Sequence, residues 1–377
     1  MIYIICFTVS TICAYLDTRD ERNKRMGIFG WIAVLLPSIL AGVRDFSIGT
    51  DTAAYTNIFA RISGATLFKV ITGVSTKELG FKLLLFFVSR FTDDPHWAFF
   101  AAHLFIMFFI YKGLRDNGAG KYTWLGLAVF YFVFFGSSLN ILRQYMASAL
   151  IVWGFRYVKN EKFISWLIVV IIAAMFHRTS IIAIFIYFLY QIYVIRIDGT
   201  FKNGTAHRIK PEIKIVISVC ILAGALVIFL FARPLIRLVH DITGKFSVQA
   251  NTIRDYFAID LYSIWRNLEF LIPFLLFRKS EANTNGDCDF YSIVFALCMI
   301  LGKLSMVSYN AGRIIEPYWI QIVLAVPLLI SGLNNKTNRI VISGYYLLLC
   351  GWVFLNNFVI NGYCEIWPYT SEILGIG

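Results

Sequence analysis

Arg143, in SSLNILRQYMASA, and the pair His177-Arg178, in AAMFHRTSII, sit in turns of only a few residues between long apolar runs. A cation in or beside lipid costs ~2.5–3.5 kcal/mol on insertion scales and is normally tolerated only towards a polar cavity or a partner. More arginines stand in comparable places: Arg44 after the second apolar run, Arg233, Arg237, Arg254 and Arg266 around a later hydrophilic segment, and Arg313 in YNAGRIIEPYW. The planar guanidinium fork donates two hydrogen bonds at once, which suits phosphate oxygens. Several such groups around one outward cavity point to a polyanionic ligand, and diphosphate is the natural lipid-borne one. Taken singly, each arginine has a plainer reading, snorkelling to headgroups or pairing with a nearby Asp or Glu.

His177 could act as a general base, because an unperturbed imidazole titrates near pH 6.5 and accepts a hydroxyl proton at neutral pH. It could equally be a helix-end histidine satisfied by a local carbonyl, with Thr179 or Ser180 capping the next helix. His103, in AAHLFIM, reads as a hydrogen bond between helices. The stretch GVRDFSIGTDTAAYTNIF (42–59) is the densest in polar detail. Gly49 permits a tight turn, Thr50 or Asp51 can cap a helix, and Asp51 and Tyr55 lie one turn apart on one face. Glu78, before Gly80 and Phe81, supplies a carboxylate that could pair with an arginine or contact a sugar hydroxyl.

The elements that must hold these groups are membrane helices. Of 377 residues, 59% are hydrophobic and 15% charged, against about 45–50% and 25% in a soluble domain; mean hydropathy is +0.71. The reading is an all-α, polytopic integral membrane protein of about 12 transmembrane helices (11–14) in a single transmembrane domain. Apolar runs lie near 1–16, 26–43, 97–111, 122–138, 144–157, 163–176, 180–195, 215–232, 264–277, 290–306, 318–333 and 340–358. The segment 79–91, interrupted by Lys82 and Arg90 and followed by Asp93-Asp94-Pro95, reads as an extra re-entrant or interfacial helix, with a full span as the rival. Of the 34 lysines and arginines, 19 fall in the six loops 17–25, 112–121, 156–162, 196–214, 278–289 and 334–339, which makes those loops cytoplasmic. The two long hydrophilic segments, 44–78 and 233–263, then lie outside as partly helical caps over a cavity. The basic cluster Arg19, Arg22, Lys24 and Arg25 flanks a span and suits anionic lipids. No basic run follows a nucleic-acid backbone, and seven scattered cysteines offer neither a disulfide framework nor metal spacing. Phosphate-loop, dinucleotide, nucleophile-elbow and zinc-protease motifs are missing. Asp287-Cys288-Asp289 reads as solvated loop.

The ordered set GVRDFSIGTDTAAY, KELGFKLL (77–84), NILRQYMASAL (140–150), AMFHRTSIIAI (174–184) and YNAGRIIEPYW (309–319) resembles the EpsG/Wzy-type bacterial polysaccharide polymerases. The resemblance implies a C-type glycosyltransferase-like fold in the bacterial cytoplasmic (inner) membrane, its site facing the periplasm or outside. It implies joining of undecaprenyl-diphosphate-linked repeat units into O-antigen, capsule or exopolysaccharide, with no metal and no cofactor. A chain-length regulator and a flippase are further expected partners. Carried onto this chain, Arg143, Arg178 and Arg313 bind the diphosphate and His177 is the base. Arg44, Asp51, Tyr55 and Glu78 belong to the substrate site, with Arg266 and Glu269 as additions. An O-antigen ligase, a non-enzymatic transporter or flippase, and a membrane O-acyltransferase are the competing readings.

Overall fold

Short polar breaks between apolar runs become helix ends throughout the computed structural model, which describes residues 1–19, 25–73, 78–194, 211–243, 261–279, 286–304 and 313–377. The chain divides into two compact units: Met1–Ile184 with Ile320–Ser331 and Asn335–Gly377, and Phe185–Trp319 with Gly332–Asn334. Among the described residues the structure is helical, with one isolated antiparallel bridge between Ser371 and Ile376.

In the first unit, α1 (Ile2–Thr18) and α2 (Ile28–Gly42) form a hairpin. Three short helices follow, α3 (Thr52–Ser63), α4 (Leu67–Gly73) and α5 (Leu79–Val88). The long α6 (Pro95–Asp116) begins where Asp94 caps it, its carboxylate accepting from the His96 amide at 3.0 Å, with Pro95 in the first helical position. Next come α7 (Thr123–Val129), a π-helical turn (Phe130–Phe135), α8 (Gly136–Asn140), α9 (Leu142–Lys159) and α10 (Phe163–Phe176). The wide π turn delivers Tyr131 flat against Phe7, 4.7 Å between centroids, and Phe135 edge-on to it at 5.1 Å. Tyr3 and Phe354 complete this aromatic core.

The two ends of the unit differ in chemistry. At one, Arg115 bonds Asp17 at 2.8 Å, Asp17 also accepts from the Gly27 amide at 2.8 Å, and Asp116 pairs with Arg156 and Lys112. At the other, about 33 Å away along α6 by its rise per residue, lie the loop 43–51, the starts of α5 and α9, and the end of α10. Between them the outward stripe of α10 is Ile164, Ile168, Ile171 and Ile172, while Trp166, Val169, Val170 and Ala173 face the unit. An exposed stripe of that kind is built for lipid.

In the second unit, α11 (Ile184–Tyr193), α12 (Pro211–Thr243), α13 (Leu261–Leu276), α14 (Asp287–Leu301) and α15 (Glu316–Trp319) pack around Phe270, Phe274, Phe295 and Trp319. The first unit is completed by α16 (Ile322–Gly332) and α17 (Lys336–Phe354).

Among the described residues, five helical stretches are long and apolar enough to cross a membrane: Pro95–Asp116, Gly120–Asn140, Glu212–Ala232, Arg313–Gly332 and Lys336–Ile360; Ile2–Thr18, Ile28–Gly42, Leu79–Val88, Phe163–Phe176 and Arg178–Tyr193 are apolar but shorter. The protein is therefore a polytopic membrane protein. At ten residues, α5 spans about 15 Å, half a hydrocarbon core.

The hydrophilic stretch beginning at 233, expected to be partly helical, is at first helix, because Ala232, Leu235, Ile236, Val239 and Ile242 continue the helical period and α12 runs on to Thr243. Residues 244–260, Arg254 among them, lie outside the described residues. The triplet Asp287-Cys288-Asp289 is not loop but the first turn of α14. There the aligned peptide dipoles favour its carboxylates, Asp287 accepts from the Tyr190 hydroxyl at 3.1 Å, and Asp289 pairs with Arg278.

Candidate functional site

Three of the sequence stretches that carry polar residues meet at one end of the first unit. Arg143 stands in the first turn of α9, just after a break in the chain at Ile141 (φ −105°, ψ 53°) that separates α8 from α9. Its Nη1 donates to Glu78 Oε2 at 2.7 Å, and its Cζ lies 5.7 Å from the centroid of the Tyr55 ring. Tyr55 packs edge-on against Phe81, 5.5 Å between centroids. The guanidinium thus sits between a carboxylate at the start of α5, which the helix dipole favours there, and an aromatic face on α3. The pair is only partly withdrawn from solvent, with the side chains of Arg143 and Glu78 29% and 13% exposed. Such a cation keeps its charge and a fixed direction while remaining within reach of a ligand.

Packing of glycine on an aromatic ring ties the fourth stretch to this group. A Cβ built on Gly80 falls 3.1 Å from ring carbons of Phe176, so α5 lies directly on the end of α10. His177 terminates α10 with extended backbone (φ −153°, ψ 117°), and its carbonyl accepts from the Ser180 amide at 3.0 Å. Neither Thr179 nor Ser180 caps the 3-10 turn Arg178–Ala183; His177 occupies the cap position without a side-chain cap bond. His177 is half-buried and Arg178 is exposed.

Arg44 takes a different part from the one the sequence suggests. It is fully buried, 0% exposed. Its guanidinium donates to the carbonyls of Ala41, Ile48 (3.4 Å) and Leu139 (2.9 Å), and stacks 4.5 Å from the Phe99 ring. Burial pushes it down to about 10, so it remains a cation at physiological pH. It holds the site from beneath instead of lining it, because a side chain with no exposed surface cannot meet a ligand. Asp51 marks the N-cap of α3, yet its carboxylate makes no cap bond. Its amide donates to Asn140 Oδ1 at 2.6 Å, and the Thr50 hydroxyl donates to the same oxygen at 3.0 Å.

Residues 363–376 close over this loop from the other end of the chain. Asp45 donates its amide to Thr370 O at 3.1 Å and accepts from the Glu372 amide at 2.8 Å; Tyr369 donates to Leu40 O at 2.8 Å and Ser371 to Val43 O. Burial pushes the Cys364 thiol up to about 11, a rise that the polar side chains of Asn140, Tyr363 and Ser137 oppose.

A sequence model of the EpsG family matches residues 27–371. The chain belongs to the EpsG family. No curated protein and no solved structure gives a match. Within this EpsG chain, Arg143, Glu78, Tyr55 and Asp51 are gathered at one end of the first unit, with His177 and Arg178 carried there by α10. Arg313, half-buried at the start of its 3-10 turn, and Glu269, half-buried on α13, belong to the second unit, as does the backbone of Arg266. Sequence reasoning gave no role to Asn140 or to Lys82. Lys82 is 5% exposed, one turn beyond Glu78, and donates to Ile71 O at 3.2 Å. A lysine inside LGFKLLLFFV is the signal that points to it.

Proposed function

We propose that this EpsG protein polymerises lipid-diphosphate-linked oligosaccharide repeat units, with undecaprenyl diphosphate as the carrier, into an extracellular or cell-surface polysaccharide. The observation that carries the reading is Arg143, half-exposed and oriented by Glu78 and Tyr55 at the first turn of α9. A helix N-terminus with an arginine beside it favours a phosphate oxygen. Family membership supports a polymerase role for the whole chain.

In the proposed step the acceptor hydroxyl attacks the anomeric carbon of the donor sugar, the bond from that carbon to the diphosphate oxygen breaks, and polyprenyl diphosphate leaves. Arg143 and Arg178 stabilise the charge that develops on the leaving group. His177 takes the acceptor proton. For Arg313 the support is its motif, YNAGR, and a separate R313A variant tests it. No nucleoside triphosphate enters, since the donor carries its leaving group with it.

The basic residues Arg19, Arg25, Lys112, Arg115, Lys121, Arg156, Lys159 and Lys162 cluster at the opposite end of the helices from Arg143. The positive-inside rule favours the cytoplasmic side for that end, which supports reading the proposed chemistry as taking place at the outer face of the bacterial cytoplasmic membrane. The reading includes about 12 crossings in a C-type glycosyltransferase arrangement. The test is purified protein in lipid with lipid-linked repeat unit. Longer glycan together with free polyprenyl diphosphate is the expected outcome, lost in R143A. Translocation without new glycosidic bonds overturns the reading in favour of a transporter.

A further inference from the structure

The buried side chain that joins the two halves of this site belongs to Asn140, and nothing in the chemistry above uses it. Asn140 is 3% exposed and ends α8, one residue before the break at Ile141 and three before Arg143. Its Oδ1 accepts two hydrogen bonds from the facing loop, 2.6 Å from the Asp51 amide and 3.0 Å from the Thr50 hydroxyl. The backbone around it is tied to the same loop. Leu139 O accepts from Arg44 Nη2 at 2.9 Å, and a Cβ on Gly49 would fall 3.4 Å from Leu139 O and 3.7 Å from Asn140 Cα.

We infer that Asn140 is a positioning residue: it fixes the Thr50-Asp51 turn against the start of α9, and so sets Tyr55, one helical turn further on, beside Arg143. The inference rests on reading the Arg143 site as the site of glycosyl transfer. An amide suits the place for a physical reason. Its oxygen satisfies the amide of Asp51, the N-cap of α3, and a hydroxyl together, and a neutral group does so without burying a charge. Alanine removes the oxygen and leaves a buried amide N–H without its acceptor. Aspartate keeps the oxygen, and the N-terminal end of α3 offsets the added charge.

The test uses the full chain in nanodiscs, wild type against N140A and N140D, with amide hydrogen exchange and a donor titration in the polymerisation assay. In N140A the Asp51 amide is expected to exchange roughly tenfold faster or more, as loss of a buried acceptor predicts. The maximal rate falls by a similar factor while the KM for donor is unchanged; N140D recovers most of both. The Gly27 amide, bonded to Asp17 at the other end, serves as the folding control. If N140A loses that protection too, T50V, which removes one of the two bonds, replaces it with a smaller expected acceleration at Asp51. Unchanged Asp51 exchange in a folded variant, or N140D behaving as N140A, overturns the inference. A wild-type protein that makes no polymer overturns the functional reading instead, and leaves the exchange result to judge Asn140.

Discussion

At the scale of single residues, the two buried or half-buried arginines of the site divide their labour by what they touch. Arg44 donates to three backbone carbonyls and has no exposed surface; Arg143 meets a carboxylate and an aromatic face and stays open to solvent. Arg44→Met therefore strips carbonyls of their donor without touching a substrate. It is expected to destabilise the protein by on the order of 3 kcal/mol, read as a lowered Tm in detergent. Arg143→Lys leaves the fold intact but removes the planar fork, so stability holds while turnover falls by about tenfold to a hundredfold. A lysine variant with wild-type turnover would show that a point charge suffices. Nothing in the sequence separates the two roles, because carbonyl partners leave no mark on residue type, whereas a carboxylate such as Glu78 does.

At the scale of elements, two glycines decide how closely the pieces approach. Gly49 has φ +92°, and a Cβ there would fall 2.8 Å from Thr52 Oγ1. Gly49→Ala is expected to cost about 1–2 kcal/mol and to lower activity beyond what the Tm shift explains, since the same turn presents Asp51. At Gly80 the obstruction is the Phe176 ring at 3.1 Å. Gly80→Leu should push α5 off α10, costing more activity than stability; an equal loss of both would deny α5 its role in the site. Helices of this kind were largely legible from composition: α10 ends at Phe176, where the apolar run ends, and α9 starts two residues before its run. The continuation of α12 past Arg233 was not, because charged residues at the end of an apolar run look like its boundary even when the helical period persists. Nor was the π turn at Phe130–Phe135, since no residue type demands it. Asn140 stood inside a motif that drew notice for its arginine, and its partners lie 89 and 90 positions away in the chain.

At the scale of the molecule, the basic residues gathered at the Asp17–Arg115 end of the first unit make the proposed orientation testable. In a variant with Cys220 replaced by serine, since Cys220 is the exposed cysteine, D51C and R178C should react with a membrane-impermeant maleimide on intact cells. K121C, exposed at the Asp17–Arg115 end, should react only after the membrane is opened. Equal labelling of all three from outside would refute the orientation. The strap of residues 363–376 across the 40–49 loop carries a further implication for assembly. Tyr3 donates to Ile366 O at 3.1 Å across 363 positions of sequence and stacks on Trp367, so α1 and the strap must both be in place before this end of the unit is fully packed.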